Sequence, residues 1–328
     1  TRVRSSAASD VYKRQLGMAE DTWALNEGAI DEEAFLKQAE LIQREREAMF
    51  FGALKRTRHG VVACVFDTSD RVQHMFYRYL DSACNSSCQD SHGTVIERLY
   101  RDMDRIVGDT LRYVDQSTAL FVLSDHGFCS FRRGVNLNAW LHQHGYLALL
   151  PGRSEGSEYF DGIDWSHTRA YTFGLGGLYL NLKDREAEGI VGRDEAAGLK
   201  QDLIAKLTDL RDYDTGEIGI RTVYDSSAIY QGPYIGAAPD LIVGYAAGYR
   251  ASWGAAVGKV TQHVFEDNRK AWSGDHCVDP VLVPGVLFSN YKLDAPDPGI
   301  EDMAPTALDL FGVEQPSWME GKSLVRCA

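Results

Sequence analysis

Apolar positions along the chain fall into two patterns. Short continuous runs occupy residues 60–66 (GVVACVF), 119–123 (ALFVL), 240–244 (DLIVG) and 286–288 (VLF). Runs of this length, rich in β-branched and aromatic residues, predict strands buried on both faces. The second pattern has helical spacing. Over 31–55 it places Phe35, Ala39, Ile42, Met49 and Ala53 on one stripe, and over 94–114 it aligns Ile96, Leu99, Met103, Ile106, Leu111 and Val114. Further helices are predicted at 71–80, capped by Thr68 or Ser69, at 136–144, ended by Gly145, at 194–210 and at 302–311. A β-hairpin is expected from 170–173 and 177–182 through Gly174 and Gly176, and 151–162 and 244–270 read as loops.

Strand, helix, helix, strand in succession predicts an α/β fold. Its central, mostly parallel sheet would hold 61–66, 119–123 and 286–288, with helices on both faces. Residues from about 131 to 272 would form an inserted cap. Residues 1–15 have no periodicity and no initiator Met, so they read as a non-native tail. Residues 16–328 are expected to form one domain.

Composition adds exclusions. Hydrophobic residues make up 44% and charged residues 25%, as in a soluble globular chain. The formal net charge of −13 opposes binding to duplex nucleic acid or an anionic membrane. No apolar run approaches the roughly 20 residues of a membrane span. The cysteines Cys64, Cys84, Cys88, Cys129, Cys277 and Cys327 include no CxxC pair, so a reducing, cytoplasmic location is the expectation. Asn85-Ser86-Ser87 matches a glycosylation acceptor.

The chemistry gathers beside the apolar runs. Asp70 and His74 are four apart and share a helix face. Asp125 and His126 end the 119–123 strand, and His276 follows Gly274 and Asp275. Zn²⁺ and Mn²⁺ take such mixed nitrogen and oxygen ligands. Five ligands are too many for one tetrahedral ion but suit two ions about 4 Å apart, an arrangement that clamps phosphoryl oxygens. Arg132-Arg133 reads as a solvated turn, or else, under the mechanism that the family resemblance given below implies, as a contact of Arg132 or Arg133 with the transition state. Asp275 either orients His276 or lies exposed. Asp67 reads as a cap or an outer carboxylate, and Tyr249, Arg250 and Trp253 as pocket lining or packing. His59, His92, His142, His144, His167 and His263 lack a carboxylate at useful spacing and read as structural or surface residues. The glycines at 174–177 and 254–258 complete neither a dinucleotide fingerprint nor a P-loop.

Asp70-x-x-x-His74, Ser124-Asp125-His126-Gly127 and Gly274-Asp275-His276 resemble, in this order, three metal-binding motifs of the alkaline phosphatase superfamily. The nearest branch is the type I phosphodiesterase and nucleotide pyrophosphatase group, with its predicted phosphohydrolase or phosphomutase members. The resemblance covers roughly residues 17–325. It implies an alkaline-phosphatase-like fold and a hydrolase acting on a small phosphate ester or diester. Asp70, His74 and His276 would hold one divalent ion. Asp125 and His126 would hold the second, with an upstream Asp and a Thr or Ser nucleophile that forms a phospho-enzyme. Asp21 and Thr22 lack the strand expected before that pair. The chain is therefore expected to lack its N-terminal part and to be inactive as it stands. The alternatives are a phosphomutase or a metal-binding module without turnover.

Overall fold

The computed structural model describes residues 20–80 and 92–325. The tail at 1–15, Asn85 and the cysteines Cys84, Cys88 and Cys327 lie outside the described residues. The described residues fall into two compact units: 20–80 and 92–100 with 128–283, and 101–127 with 284–325. Cys64, Cys129 and Cys277 form no disulfide. No helix among the described residues is long and apolar enough to cross a membrane.

The first unit opens with helices at Thr22–Asn26, Glu32–Arg56 and Thr68–Phe76. Asp31 caps the second, its carboxylate accepting the amide N–H of Ala34 at 2.8 Å. Phe35 and Ala39 from that helix bury themselves against Val72, Met75 and Phe76, with Val95 and Ile96 joining. Full burial of an aromatic or large aliphatic side chain stabilises by roughly 1.5–3 kcal/mol, so this small core holds the Thr68–Phe76 helix in place. That helix starts at Thr68, earlier than its apolar pattern suggests, and neither predicted cap serves it. Thr68 Oγ1 donates to Glu20 and Ser69 Oγ to the carbonyl of Phe66. Asp67 stands at the cap position without a side-chain cap bond, and pairs with Arg46 instead.

In chain order the strands are β1 (Phe121–Leu123), β2 (Cys129–Val135), β3 (Ala170–Phe173), β4 (Gly177–Leu180), β5 (Leu210–Arg211), β6 (Ile218–Asp225), β7 (Leu241–Tyr245), β8 (Gly248–Ala251), β9 (Phe265–Asp267), β10 (Gly274–Asp275) and β11 (Leu287–Ser289). The larger sheet of the first unit runs β3-β4-β7-β6-β5, antiparallel throughout. Its hairpin pairs Ala170 with Leu180 and Phe173 with Gly177, and Gly174 takes a positive φ of 75° at the turn. The helices Leu137–Gln143 and Arg193–Leu207 contribute Trp140, Leu141, Leu203 and Leu207 to a core shared with Leu178, Leu180, Leu241 and Val243 of the sheet. The smaller sheet centres on β2, which pairs parallel with β8 and antiparallel with β9 and β10.

Three expectations are corrected. The sheets are mostly antiparallel, and no parallel central sheet is present among the described residues. In the second unit β1 and β11 do pair, but antiparallel, with Val122 opposite Phe288. An apolar run records what a strand can bury, and the connection decides which way its neighbour runs. Residues 61–66 form no strand and pair with none among the described residues. Nor are they buried on both faces: Val62, Cys64 and Phe66 are partly buried while Val61 and Val65 stand 66% and 78% exposed. The stretch 244–270 is not a loop, since it supplies β8, the helical turn Trp253–Ala256 and β9. Its glycines and aromatics mask a strand, β8, that is buried along its whole length.

Candidate metal centre

The Thr68–Phe76 helix presents Asp70 in its first turn and His74 one turn later. Asp70 Oδ1 lies 3.4 Å from His74 Nε2 and 3.6 Å from His276 Nε2. One ligand-type atom from each of the three residues lies within 4.8 Å of the others. Tetrahedral ligands at about 2.1 Å from a zinc ion are separated by about 3.4 Å, so the two edges that meet at Asp70 already have that spacing.

Hydrogen bonding assigns the roles of the His74 nitrogens. Nδ1 lies 2.7 Å from the carbonyl oxygen of Gly274. A carbonyl only accepts, so Nδ1 carries the proton, and in the neutral ring Nε2 keeps its lone pair toward Asp70. This is the arrangement of a metal-ligating histidine, whose second nitrogen donates to a backbone carbonyl. Gly274 is required for the approach. A Cβ there would stand 2.5 Å from the carbonyl oxygen of Gln73 and 2.7 Å from Tyr77 Cβ.

The walls are aromatic. The His74 ring packs on Trp272 at 3.8 Å between centroids and against the edge of Phe128 at 4.9 Å, and Phe128 meets His276 at 5.4 Å. His74 is almost fully buried, while Asp70 and His276 keep partial access to solvent. Arg71 donates to Asp70 Oδ2 at 2.5 Å, leaving Oδ1 toward the imidazoles. Burial pushes the Asp70 carboxyl up. With no ion bound and the imidazoles protonated, the hydrogen bond and charge of His74, then Arg71 and His276, outweigh this and hold it below the ordinary carboxylate value.

His276 sits on the turn after β10, and Asp275 builds that turn. Asp275 Oδ1 accepts the amide N–H groups of both His276 and Cys277 at 2.9 Å. Oδ2 accepts from Arg250 at 2.6 Å and from Trp272 Nε1 at 2.8 Å. Burial alone would raise this carboxyl, yet the Arg250 charge and these hydrogen bonds lower it to about 2. Asp275 therefore orients and is not exposed. Arg250 is buried as well, its guanidinium lying 4.4 Å from the Phe131 ring centroid and 4.3 Å from that of Trp253. Tyr249 donates to Asp212 and packs in the core. The supporting roles of Arg250, Trp272 and Phe128 leave no signal in sequence spacing.

Asp125 and His126 close β1 in the second unit. His126 Nδ1 lies 3.0 Å from the carbonyl oxygen of Gly127, and Nε2 lies 3.5 Å from Asp125 Oδ2. The pair thus repeats the pattern of His74: Nδ1 on a carbonyl, Nε2 toward a carboxylate. Arg133 is committed elsewhere, bonded to Asp212, Asp214 and Asp267 at 2.6–2.7 Å, so it has no fork to offer an anion. Arg132, on the same strand, is half exposed. Among the other histidines, His167 does have a carboxylate partner, Asp164 at 2.9 Å, and His92 lies 3.4 Å from Glu32.

Residues 3–265 match the family described as Type I phosphodiesterase / nucleotide pyrophosphatase, and the chain belongs to that family, in the alkaline phosphatase superfamily. No curated protein matches the chain. The family implies an α/β fold of the alkaline phosphatase kind. It is one of phosphohydrolases acting on small phosphate esters or nucleotides, usually with divalent metal ions. His276 and its Asp275 support lie beyond the matched residues.

Proposed function

We propose that the protein is a metal-dependent phosphodiesterase, with one divalent ion, Zn²⁺ or Mn²⁺, held by Asp70, His74 and His276. The observation that carries this is the bond between His74 Nδ1 and the Gly274 carbonyl, which turns the Nε2 lone pair of a buried imidazole toward Asp70. The donor set suits such an ion, with one carboxylate, two imidazoles and aromatic walls that limit water. When bound, the ion would supply a Lewis acid for phosphoryl oxygens. Asp70 brings one negative charge, with its second oxygen held by Arg71. His74 is kept in one tautomer, and Asp275 fixes the backbone that presents His276. We assign a second ion to Asp125 and His126, on the resemblance and on the same imidazole pattern. The nucleophile is assigned to a Thr or Ser outside the residues named here.

The test is zinc titration of the chelator-treated chain against a competing chromogenic chelator, alongside hydrolysis of bis-p-nitrophenyl phosphate. Zinc bound by the parent chain and lost in His276→Ala supports the assignment. Equal affinity in the two proteins overturns it. Zinc-dependent hydrolysis that disappears in His276→Ala extends the result from binding to activity.

A further inference from the structure

The first unit contains a cleft of about 390 Å³ lined by four cations, Arg78, Arg132, Arg269 and Lys270, with a single carboxylate, Asp267. None of Asp70, His74 or His276 lines it. The chain has 34 Lys and Arg against 47 Asp and Glu, so this local excess of positive charge opposes the overall balance.

The cations are not equally committed. Arg78 donates to the carbonyl of Ala271 at 2.7 Å and pairs with Glu32. Lys270 pairs with Glu27 at 2.5 Å. Asp267, the carboxylate in the wall, is engaged by Arg133 at 2.7 Å. Among the described residues Arg132 has only Glu217 at 3.7 Å as an ion-pair partner, beyond hydrogen-bond distance, with both side chains at least half exposed. Its guanidinium lies across Gly248, where a Cβ would meet it at 2.9 Å. Arg269 is exposed and makes no ion pair among the described residues.

Two guanidinium forks on one cleft, backed by two further cations, match a phosphate-type dianion, because each fork can take two oxygens. We propose that this cleft binds a phosphate or diphosphate group, at a place separate from the Asp70–His74–His276 cluster. The two places share their supports. Ser273, in the cleft wall, donates its amide N–H to the His74 carbonyl at 2.7 Å, and its Oγ accepts the amide N–H of Arg78 at 3.1 Å. The group arrives either as a remote phosphate of the substrate or as a free inorganic anion. The first source rests on the hydrolase reading; binding to the cleft does not.

The experiment is calorimetric titration of inorganic pyrophosphate into the full chain stripped of metal. One site is expected, weakened roughly tenfold or more in Arg132→Gln/Arg269→Gln, weakened by added salt and unchanged in His276→Ala. Both arginines are exposed, and a melting temperature equal to that of the parent chain verifies that the double variant is folded. No binding by the parent chain, or equal affinity in the folded double variant, overturns the proposal. Loss of binding in His276→Ala with retention in the arginine variant also overturns it, because the anion then sits on the cluster. The source is read with zinc restored, using a non-hydrolysable nucleoside triphosphate analogue. Loosening by both the arginine and the His276 changes marks a substrate phosphate, and loosening by the arginine change alone marks a free anion. If zinc does not bind, the hydrolase reading fails while the pyrophosphate result in stripped protein stands.

Discussion

His74 Nδ1 and the carbonyl oxygen of Gly274 meet at 2.7 Å across 200 positions of chain. This one bond joins the helix that carries Asp70 to the strand that leads to His276. It also selects the tautomer that leaves Nε2 for a ligand. Substituting His74 by Gln should therefore lower zinc affinity by more than the roughly 10–100-fold typical of losing an outer partner. Competition with a chromogenic chelator measures it, and a change below tenfold would count against His74 as a ligand.

Gly274→Ala tests the same contact from the other side. The added Cβ would press on the Gln73 carbonyl oxygen at 2.5 Å and on Tyr77 Cβ at 2.7 Å. The strand must move away from the helix, at a cost of about 1–3 kcal/mol for overpacking. Thermal unfolding should report that loss, and zinc affinity should fall with it although no ligand has been altered.

The Arg250–Asp275 pair is almost entirely buried. Arg250→Met should destabilise by about 3–5 kcal/mol, since Asp275 is left charged and without its cation. The double variant Arg250→Met/Asp275→Asn should recover part of that stability but none of the zinc affinity, because the amide N–H groups of His276 and Cys277 lose a charged acceptor. Denaturant unfolding and zinc titration, done in parallel, separate the two effects. If the losses in the single variants simply add in the double, the two side chains are not coupled.

Acid should act through Asp212, whose side chain is fully buried. Burial raises its carboxyl. The Asp214 backbone N–H, Arg133 and Tyr249 outweigh that and hold the pKa below its ordinary 3.8. A lowered folded value means that this group stabilises the fold fully above 3.8 and ceases to do so as pH falls through the lowered value. Asp212→Asn should be less stable than the parent near neutrality, and the difference should shrink in acid. A difference in melting temperature that stays constant from about pH 6 to about pH 3 would rule the linkage out.

Local rules account for what was legible beforehand. Asp70 and His74 are placed on one face by helical spacing, whichever core the helix joins. The helix at Glu32–Arg56 and the hairpin of β3 and β4 follow from periodicity and a glycine turn, and the structure places both within a few residues of their predicted ends. The stretch 244–270 hid β8 because glycine and aromatic residues obscure alternation in a strand buried along its length.

The sequence by itself determined the chemistry available: which carboxylates and imidazoles exist, their order along the chain, and the motifs that resemble a phosphohydrolase family. It also marked apolar runs, of which 121–123, 241–245 and 287–289 are strands and 61–66 is not. Tertiary structure alone decided that those strands pair mostly antiparallel, that His276 reaches Asp70, and that Arg133 is consumed by three carboxylates while Arg132 lines a cleft. It alone decided that Arg250 serves Asp275, 25 positions away, deep in the first unit. The physical reason is common to all of these. Helical and turn patterns are written by neighbours in the chain. Strand direction, an imidazole tautomer and the partner of a buried charge depend on groups that only the folded backbone brings within bonding distance.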